Sequence, residues 1–232
     1  MLSASTLKLM ACAFMLLDHV GVRLFPKVII LRIIGRLAFP LFAFFIGEGC
    51  RYTKNRRRHF LSVFILGCIC ELVYIIYDGA WYGNILLTFS VSILLIYLMQ
   101  WARAKGGKLC YAVSLSAILT AAAVSYYVNF DYGFTGMLVP LFVAWPGDRV
   151  GEDQALFPAP PGRKTKLFLF AFSIMLTVLE SPLKLLQLFS LLTVPLIALY
   201  NGRPGSRKLK YFFYIFYPVH LLLIELTAMI IR

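Results

Sequence analysis

The sequence predicts an all-α polytopic membrane protein that crosses the bilayer about nine times. Of its 232 residues, 61% are hydrophobic and 14% are charged, and the mean hydropathy is +0.82. Soluble globular domains contain about 45–50% apolar and about 25% charged residues, so this composition excludes a water-exposed compact fold. Long apolar stretches recur along the chain, and basic residues collect between them. Each stretch is predicted to be a helix, because an open strand edge in lipid leaves backbone groups without hydrogen bonds.

Nine apolar stretches justify the predicted count. A transmembrane helix needs about 20 predominantly apolar residues, and most of the stretches approach that length. The sixth is shorter, and a Ser-Pro pair at 181–182 separates the seventh from the eighth. The proline-containing segment 146–166 is predicted to be an irregular cytoplasmic loop. No soluble domain fits between the stretches, so residues 1–232 are predicted to form a single transmembrane domain. The predicted spans are residues 5–25, 28–50, 60–77, 84–101, 109–128, 133–145, 167–180, 184–200 and 211–231.

The distribution of basic residues predicts the orientation. The net charge is +13, and the basic side chains sit mainly in alternate loops, which excludes the nucleic-acid surface that such a charge suggests in a soluble protein. The alternate loops 78–83 and 129–132 contain no Lys or Arg. Basic loops face the cytoplasm, so the N-terminus is predicted to be cytoplasmic and the C-terminus external. The basic segments are 51–59, 102–108, 146–166 and 201–210, with five, three, four and four Lys or Arg residues.

Seven ionisable side chains interrupt the apolar stretches at a similar depth. An ionisable group inside a span is costly, so each is a candidate for function. With a rise of about 1.5 Å per residue, the predicted orientation places them in or beside one layer on four helices. They either form structural contacts between helices or compose a reactive site. Their pattern contains no metal-ligand cluster, and no metal is predicted. The seven residues are Asp18, His19, Arg32, Arg36, Glu71, His220 and Glu225.

A second set of charges lies nearer the predicted cytoplasm. Lys8 precedes His19 by eleven residues, about three helical turns, so both lie on nearly the same face of the first span. Lys8 either extends to the membrane interface or forms an anion site at the mouth of a cytosol-facing tunnel. The run Arg56-Arg57-Arg58-His59 either fixes topology or binds phosphate, whose geometry suits arginine.

Several stretches of the sequence resemble the TraX family of integral-membrane acetyltransferases, which acetylate conjugative pilin. They occur in the order of the family and extend over nearly the whole chain. The spacing of Lys8 and His19 also resembles the Arg/Lys-x10-His pattern of the wider acyltransferase-3 group, whose histidine is taken as catalytic. The stretches are LLDH at 16–19, LRIIGRLAFPLFAFFIGEG at 31–49, NILLT at 84–88, YGFTG at 132–136 and YFFYIFYPVHL at 211–221.

The resemblance implies acetyl transfer across a bacterial inner membrane. Cytosolic acetyl-CoA would be the co-substrate, and an amine or hydroxyl at the outer face would be the acceptor. A pilin N-terminus or a surface glycan would carry that group. The proline-containing segment 151–163 is not part of the resemblance, so no role is assigned to it.

The two sets of charges suggest a mechanism for this chemistry. His19 would be the general base, or a transient carrier of the acetyl group. Asp18 or Glu71 would orient its ring, as the carboxylate of a catalytic triad does. Arg36 would hold that carboxylate or stabilise the oxyanion, and His220 is a second candidate base or orienting group. The phosphates of acetyl-CoA would be held by Lys8, Arg56, Arg57 and Arg58.

Two other classes of protein fit parts of the pattern. Asp, Glu, His and Arg side chains at one depth also suit the proton relay of a proton-coupled transporter. The absence of an inverted repeat argues against that class. A non-enzymatic assembly or anchoring protein needs the charges only for packing. Cleavage of acetyl-CoA by the purified protein separates the enzyme from both alternatives.

The orientation is testable by cysteine accessibility. A cysteine placed at Asn55, in the most basic loop, is expected to react with a membrane-permeant thiol reagent and to resist an impermeant one in intact cells. A cysteine after Arg232 is expected to react with both reagents. External labelling at Asn55 would reverse the predicted orientation, and a protected C-terminus would change the number of spans by one.

Overall fold

All nine apolar stretches contain helix in the computed structural model, which describes residues 1–144, 162–203 and 209–231. The predicted all-α class is confirmed for these residues, which form eleven α-helices and no strand. A 3-10 turn, Phe189–Leu192, joins α9 to α10. The helices are α1 Ala4–Arg23, α2 Ile29–Gly35, α3 Ala38–Tyr52, α4 Arg56–Asp78, α5 Ile85–Lys105, α6 Lys108–Tyr127, α7 Gly133–Ala144, α8 Arg163–Glu180, α9 Lys184–Leu188, α10 Thr193–Ala198 and α11 Leu209–Ile231.

Six of the nine stretches are long and apolar enough to cross a membrane within the described residues. They are α1, the α2–α3 pair, α4, α5, α6 and α11. The other three are less regular: α7 has 12 residues, α8 begins with a basic turn, and α9 and α10 are short. The count of nine crossings therefore stays a prediction. Most of the predicted loop 146–166 lies outside the described residues.

Proline explains why two predicted spans are interrupted. A proline ring clashes with the carbonyl of the residue four positions earlier and removes one backbone donor. Pro40 lies in the first turn of α3, and four residues before it is Arg36, where α2 gives way to α3. Pro195 in α10 stands four residues after Leu191, in the 3-10 turn. A helix begins again just before each proline, where the missing N–H has no helical partner to lose.

The loops alternate between two ends of the bundle. One end, the basic face, brings the N-terminus onto residues 199–203: the Leu2 amide donates to the Leu199 carbonyl (2.8 Å) and the Ala4 amide to that of Arg203 (3.0 Å). The other end, the distal face, joins loops 79–84 and 128–132, where the Asp131 amide donates to Gly83 (2.8 Å). Loops that the charge pattern predicts on the same side of the membrane thus lie at the same end of the bundle. Which end meets the cytoplasm stays a prediction.

Helices α1 and α11 pack side by side and run in the same direction. From the basic face to the distal face, Lys8 lies over the ring of Phe213, His19 contacts His220, and Arg23 pairs with Glu225. On its other side α1 packs against α2 and α3, and its Leu7 and Ala11 are fully buried. One face of α1 therefore looks inward along the whole bundle.

The turn between α4 and α5 is built on Glu71, which is 2% exposed. Its carboxylate accepts hydrogen bonds from the backbone amides of Tyr82 (2.6 Å), Gly83 (3.0 Å) and Asn84 (2.9 Å). The side-chain amide of Asn84 donates a fourth, at 2.7 Å. A negative charge is favourable at the N-terminus of a helix. The sequence suggested Glu71 as a partner of His19 or Arg36. Its carboxylate instead binds the backbone at the start of α5.

Replacing Glu71 should therefore damage the fold. Hydrogen bonds to a charged group contribute about 1.5–3 kcal/mol each, and buried donors left without an acceptor cost more, so we expect Glu71→Ala to lose over ~3 kcal/mol of stability. Thermal unfolding in detergent measures this loss. Glu180→Ala is the matched control, because Glu180 also accepts from a helix N-terminus, at Thr135, but is exposed. Equal stability of the two variants would contradict this role.

Candidate active site

Two histidines from the parallel helices α1 and α11 meet through their ring nitrogens, with nearly parallel ring planes. The Nδ1 atom of His19 lies 3.0 Å from Nε2 of His220, and Nδ1 of His220 lies 2.8 Å from the carbonyl oxygen of Phe216. A carbonyl oxygen only accepts, so the His220 proton is on Nδ1 and its Nε2 is an acceptor when the ring is neutral. His19 then donates from Nδ1, and its Nε2 carries a free lone pair. This chain of hydrogen bonds prepares His19 Nε2 to act as a base.

Local sequence on α11 holds His220 in this position. Residues four apart lie on the same face of a helix, which brings the His220 ring over the Phe216 carbonyl. The Phe216 ring stacks on the imidazole with centroids 4.9 Å apart, and the Tyr217 ring meets its edge at 5.4 Å. His220 is 4% exposed. Its orientation is therefore fixed by contacts within its own helix.

Asp18, the neighbour of His19, is held by two arginines. Its Oδ2 pairs with Arg36, which lies between α2 and α3, and its Oδ1 lies 3.2 Å from Nε of Arg32. The side chains of Asp18 and Arg36 are 16% and 14% exposed. The predicted ion pair between Asp18 and Arg36 is therefore present. Gly35 permits this approach, because a Cβ atom there would overlap the Asp18 side chain.

The ring of His19 donates its hydrogen bond to neither predicted carboxylate. Within the described part of the chain, Asp18 is engaged by the arginines and Glu71 by the α4–α5 turn. Their suggested role as orienting groups is thus filled by His220. The physical reason is that a buried carboxylate binds the nearest full charges or several amide donors before it binds a neutral imidazole.

Three cavities follow one another past His19. The basic-side cavity has a volume of about 380 Å³ and is lined by Lys8, Met15 and Tyr217 among others. The middle cavity, about 50 Å³, shares Met15 and Tyr217 with it and also touches Asp18 and His19. The distal cavity, about 300 Å³, shares Asp18, His19 and Tyr217 with the middle one. The cavities therefore form a series from the basic face to the distal face, with His19 at the junction of the last two.

The predicted phosphate-binding residues occupy different places. Lys8 lines the basic-side cavity, its ammonium lies 5.1 Å from the ring centre of Phe45, and no carboxylate of the described residues pairs with it. The Arg56 guanidinium stacks over a tyrosine ring, and Arg57 and Arg58 line a shallow depression elsewhere on α4. The structure does not bring the arginine run together with Lys8 in the basic-side cavity.

His59, which the sequence analysis grouped with the arginine run, lines the basic-side cavity together with Lys8. Other residues that line the cavities were not singled out by charge or spacing. Tyr217 lines all three cavities, and Asp131 and Tyr132 line the middle one. Tyr132 and Tyr217 lie within stretches that carry the family resemblance, and that was the only available signal. Asp131 lies in a predicted outer loop, where an acidic residue is common and does not indicate a functional site.

Charge also concentrates at the distal mouth. Arg23, the last residue of α1, pairs with Asp78, and its Nε lies 2.6 Å from Oε1 of Glu225. Glu225 is 6% exposed and lines the distal cavity with Asp131. Carboxylates thus outnumber cations around this opening. Among the described residues, no group of three or more His, Cys, Asp or Glu is arranged to hold a metal ion.

The ion pairs of Asp18 predict unequal effects of substitution. Asp18→Leu should destabilise the protein more than Arg36→Met, because it leaves two half-buried arginines without a carboxylate, whereas Asp18 keeps Arg32 when Arg36 is removed. Loss of one member of a buried pair typically costs ~3–5 kcal/mol. Thermal unfolding of both single variants and the double variant measures the coupling. The double variant should lose less than the sum of the two, and additive losses would mean that the residues do not interact.

Comparison with known proteins identifies the family. The family model described as TraX protein matches residues 3–228. The chain is 26% identical to the probable fimbrial assembly protein FimC, serogroup H1, of Dichelobacter nodosus over 99% of its length and 97% of that protein. It is 30% identical to the protein TraX of Escherichia coli over 57% of the chain and 52% of that protein. No solved structure matches. The chain belongs to the TraX family of membrane proteins.

Proposed function

We propose that the chain is a membrane acetyltransferase that moves an acetyl group from cytosolic acetyl-CoA to an acceptor at the opposite face of the membrane. The observation that supports this proposal is the series of three cavities with His19 between the second and third. A donor that enters from the basic face and an acceptor that enters from the distal face meet at one side chain. Membership of the TraX family supports the same reaction.

The basic-side cavity suits the donor. Acetyl-CoA carries its phosphates at one end and its thioester at the other, with the flexible pantetheine arm between them. Lys8 is a cation without a carboxylate partner among the described residues, and it lies about 16 Å from His19 along α1. The phosphates would remain near Lys8 while the pantetheine arm extends along the apolar walls towards the middle cavity. The arginine run would attract the phosphates of acetyl-CoA over a longer distance, from the rim of the basic face.

The histidine pair suits the chemical step. His19 Nε2 removes a proton from the acceptor amine or hydroxyl, and the acceptor attacks the carbonyl carbon of the thioester. The carbon–sulfur bond then breaks, the sulfur leaves with the bond electrons, and the proton passes from His19 to the CoA thiolate. While His19 carries the second proton, its Nδ1 continues to donate to His220 Nε2. A base whose ordinary pKa is close to neutral is suited to both transfers.

The acceptor would enter through the distal cavity. A relative that matches the whole chain is named as a fimbrial assembly protein, which favours a pilus-type subunit as the acceptor. A surface glycan with a free hydroxyl fits the same reaction. Mass spectrometry of surface proteins and polymers from a strain that lacks the gene would identify which of them loses acetyl groups.

The experiment measures release of CoA thiol from acetyl-CoA by the purified protein in nanodiscs. His19→Ala should retain acetyl-CoA binding and lose activity by ~10²–10⁴-fold, the usual contribution of a general base. Lys8→Ala should raise KM for acetyl-CoA and leave kcat nearly unchanged, because a phosphate contact is equal in the ground and transition states. Lys105→Ala is the matched control, since Lys105 is a basic-face cation stacked on Trp101, outside the three cavities.

Three results would count against the proposal. Normal turnover by His19→Ala would remove His19 from the chemistry. A collapsed kcat with unchanged KM in Lys8→Ala would move Lys8 from the donor site to the reacting centre. Absence of CoA release, together with proton flux in liposomes, would favour the proton-coupled transporter instead.

A further inference from the structure

Tyr132 has an unusual backbone conformation. Its φ angle is 62°, and it is the one non-glycine residue with a positive φ among the described residues. Such a conformation is strained and persists only where the surroundings impose it. Strain of this kind clusters at functional sites, so the side chain that it positions is a candidate for a role in the reaction.

The surroundings of Tyr132 hold it firmly. The carbonyl oxygen of the preceding residue accepts from the Thr88 hydroxyl at 2.9 Å, and its own carbonyl accepts from the Gly136 amide at 2.8 Å. The phenol ring stacks on Phe39 with centroids 3.8 Å apart. Contacts from α3, α5 and α7 therefore fix both the backbone and the ring. The strain aims one side chain into the middle cavity, which His19 also lines.

The hydroxyl group of Tyr132 has a proton to donate. Nη1 of Arg36 lies 3.3 Å from the hydroxyl oxygen, and a guanidinium can only donate, so the tyrosine oxygen is the acceptor. No described residue accepts the hydroxyl proton. Accepting a bond from a cation polarises the hydroxyl and strengthens it as a donor. The residues that line the middle cavity therefore include a base, His19, and a strong neutral donor, Tyr132.

Arg36 is less suited to contact the substrate itself. One of its terminal nitrogens pairs with Asp18 and the other donates to Tyr132. Its Nε is buried without a partner, and Arg36 lines none of the three cavities described above. The sequence suggested that Arg36 could stabilise the oxyanion directly. The geometry leaves it one route to the cavity, through the hydroxyl of Tyr132.

We propose that Tyr132 is a catalytic residue whose hydroxyl donates the hydrogen bond that stabilises the thioester oxyanion, with Arg36 as its positioning residue; this inference rests on the proposed acetyl transfer. When the acceptor attacks the carbonyl carbon, the π electrons of the carbonyl move to oxygen, and Tyr132 donates to that oxygen without losing its proton. Collapse of the tetrahedral intermediate restores the carbonyl and expels the CoA thiolate, which takes the proton held by His19. Donors aimed at developing charge are among the largest contributions to enzyme catalysis.

Tyr132→Phe tests the proposal, because it removes the hydroxyl and keeps the ring on Phe39. Loss of one oxyanion donor typically lowers kcat by ~10²–10³-fold, and we expect that loss with an unchanged KM for acetyl-CoA. Tyr200→Phe is the matched control: Tyr200 is also half-buried between aromatic rings, those of Phe44 and Phe45, but lies outside the three cavities. Retention of most of the kcat by a folded Tyr132→Phe protein would overturn the proposal.

A second variant serves if Tyr132→Phe does not fold. Replacement of Tyr132 by 3,5-difluorotyrosine keeps the shape and makes the hydroxyl more acidic. The charged groups facing it, Asp18, Arg32, Arg36 and Asp131, remain in place, so the alkaline limb of the kcat profile should move to lower pH. An unmoved limb would overturn the proposal. Absence of CoA release by the unmodified protein would instead be a failure of the proposed function.

Discussion

Pairing of charge around Asp18 constrains how α1, α2 and the loop before α7 meet. A carboxylate at this depth is costly unless cations meet it. Arg32, in α2, and Arg36, one helical turn later where α2 ends, both pair with it. Gly35 lets the backbone of this segment come close to Asp18. The position of α2 against α1 thus follows from one electrostatic requirement, which also brings Arg36 to Tyr132.

The same ion pairs give Asp18 and its neighbour His19 different surroundings. Because the arginines satisfy Asp18, its neighbour His19 is free to take a neutral partner, and His220 supplies one whose own proton is fixed by a backbone carbonyl. A histidine held by another neutral histidine keeps its outer nitrogen unprotonated. A carboxylate in the same place would favour the charged ring. The arrangement therefore suits the proposed role of His19 as a base that takes up a proton and releases it again.

Sequence reasoning reached the helical class, the alternation of the loops and the pair of Asp18 with Arg36, because these follow from apolar length, loop charge and depth. It did not predict the division of the second span, although Pro40 marks it four residues after Arg36. Estimated membrane depth suggested Glu71 as a partner of Arg36. In the structure its carboxylate instead accepts four hydrogen bonds from the turn before α5. The backbone strain at Tyr132 and the placement of the arginine run away from Lys8 depend on contacts between distant segments. Residue spacing does not encode such contacts.

The narrowness of the middle cavity has a consequence for the membrane itself. A wide, continuous series of cavities from one face of the bundle to the other would let ions leak down any gradient across the bilayer. The middle space measures about 50 Å³, room for only a few water molecules when the site is empty. Room for so few waters at this point keeps the basic-side and distal cavities from joining into one wide aqueous passage across the bundle.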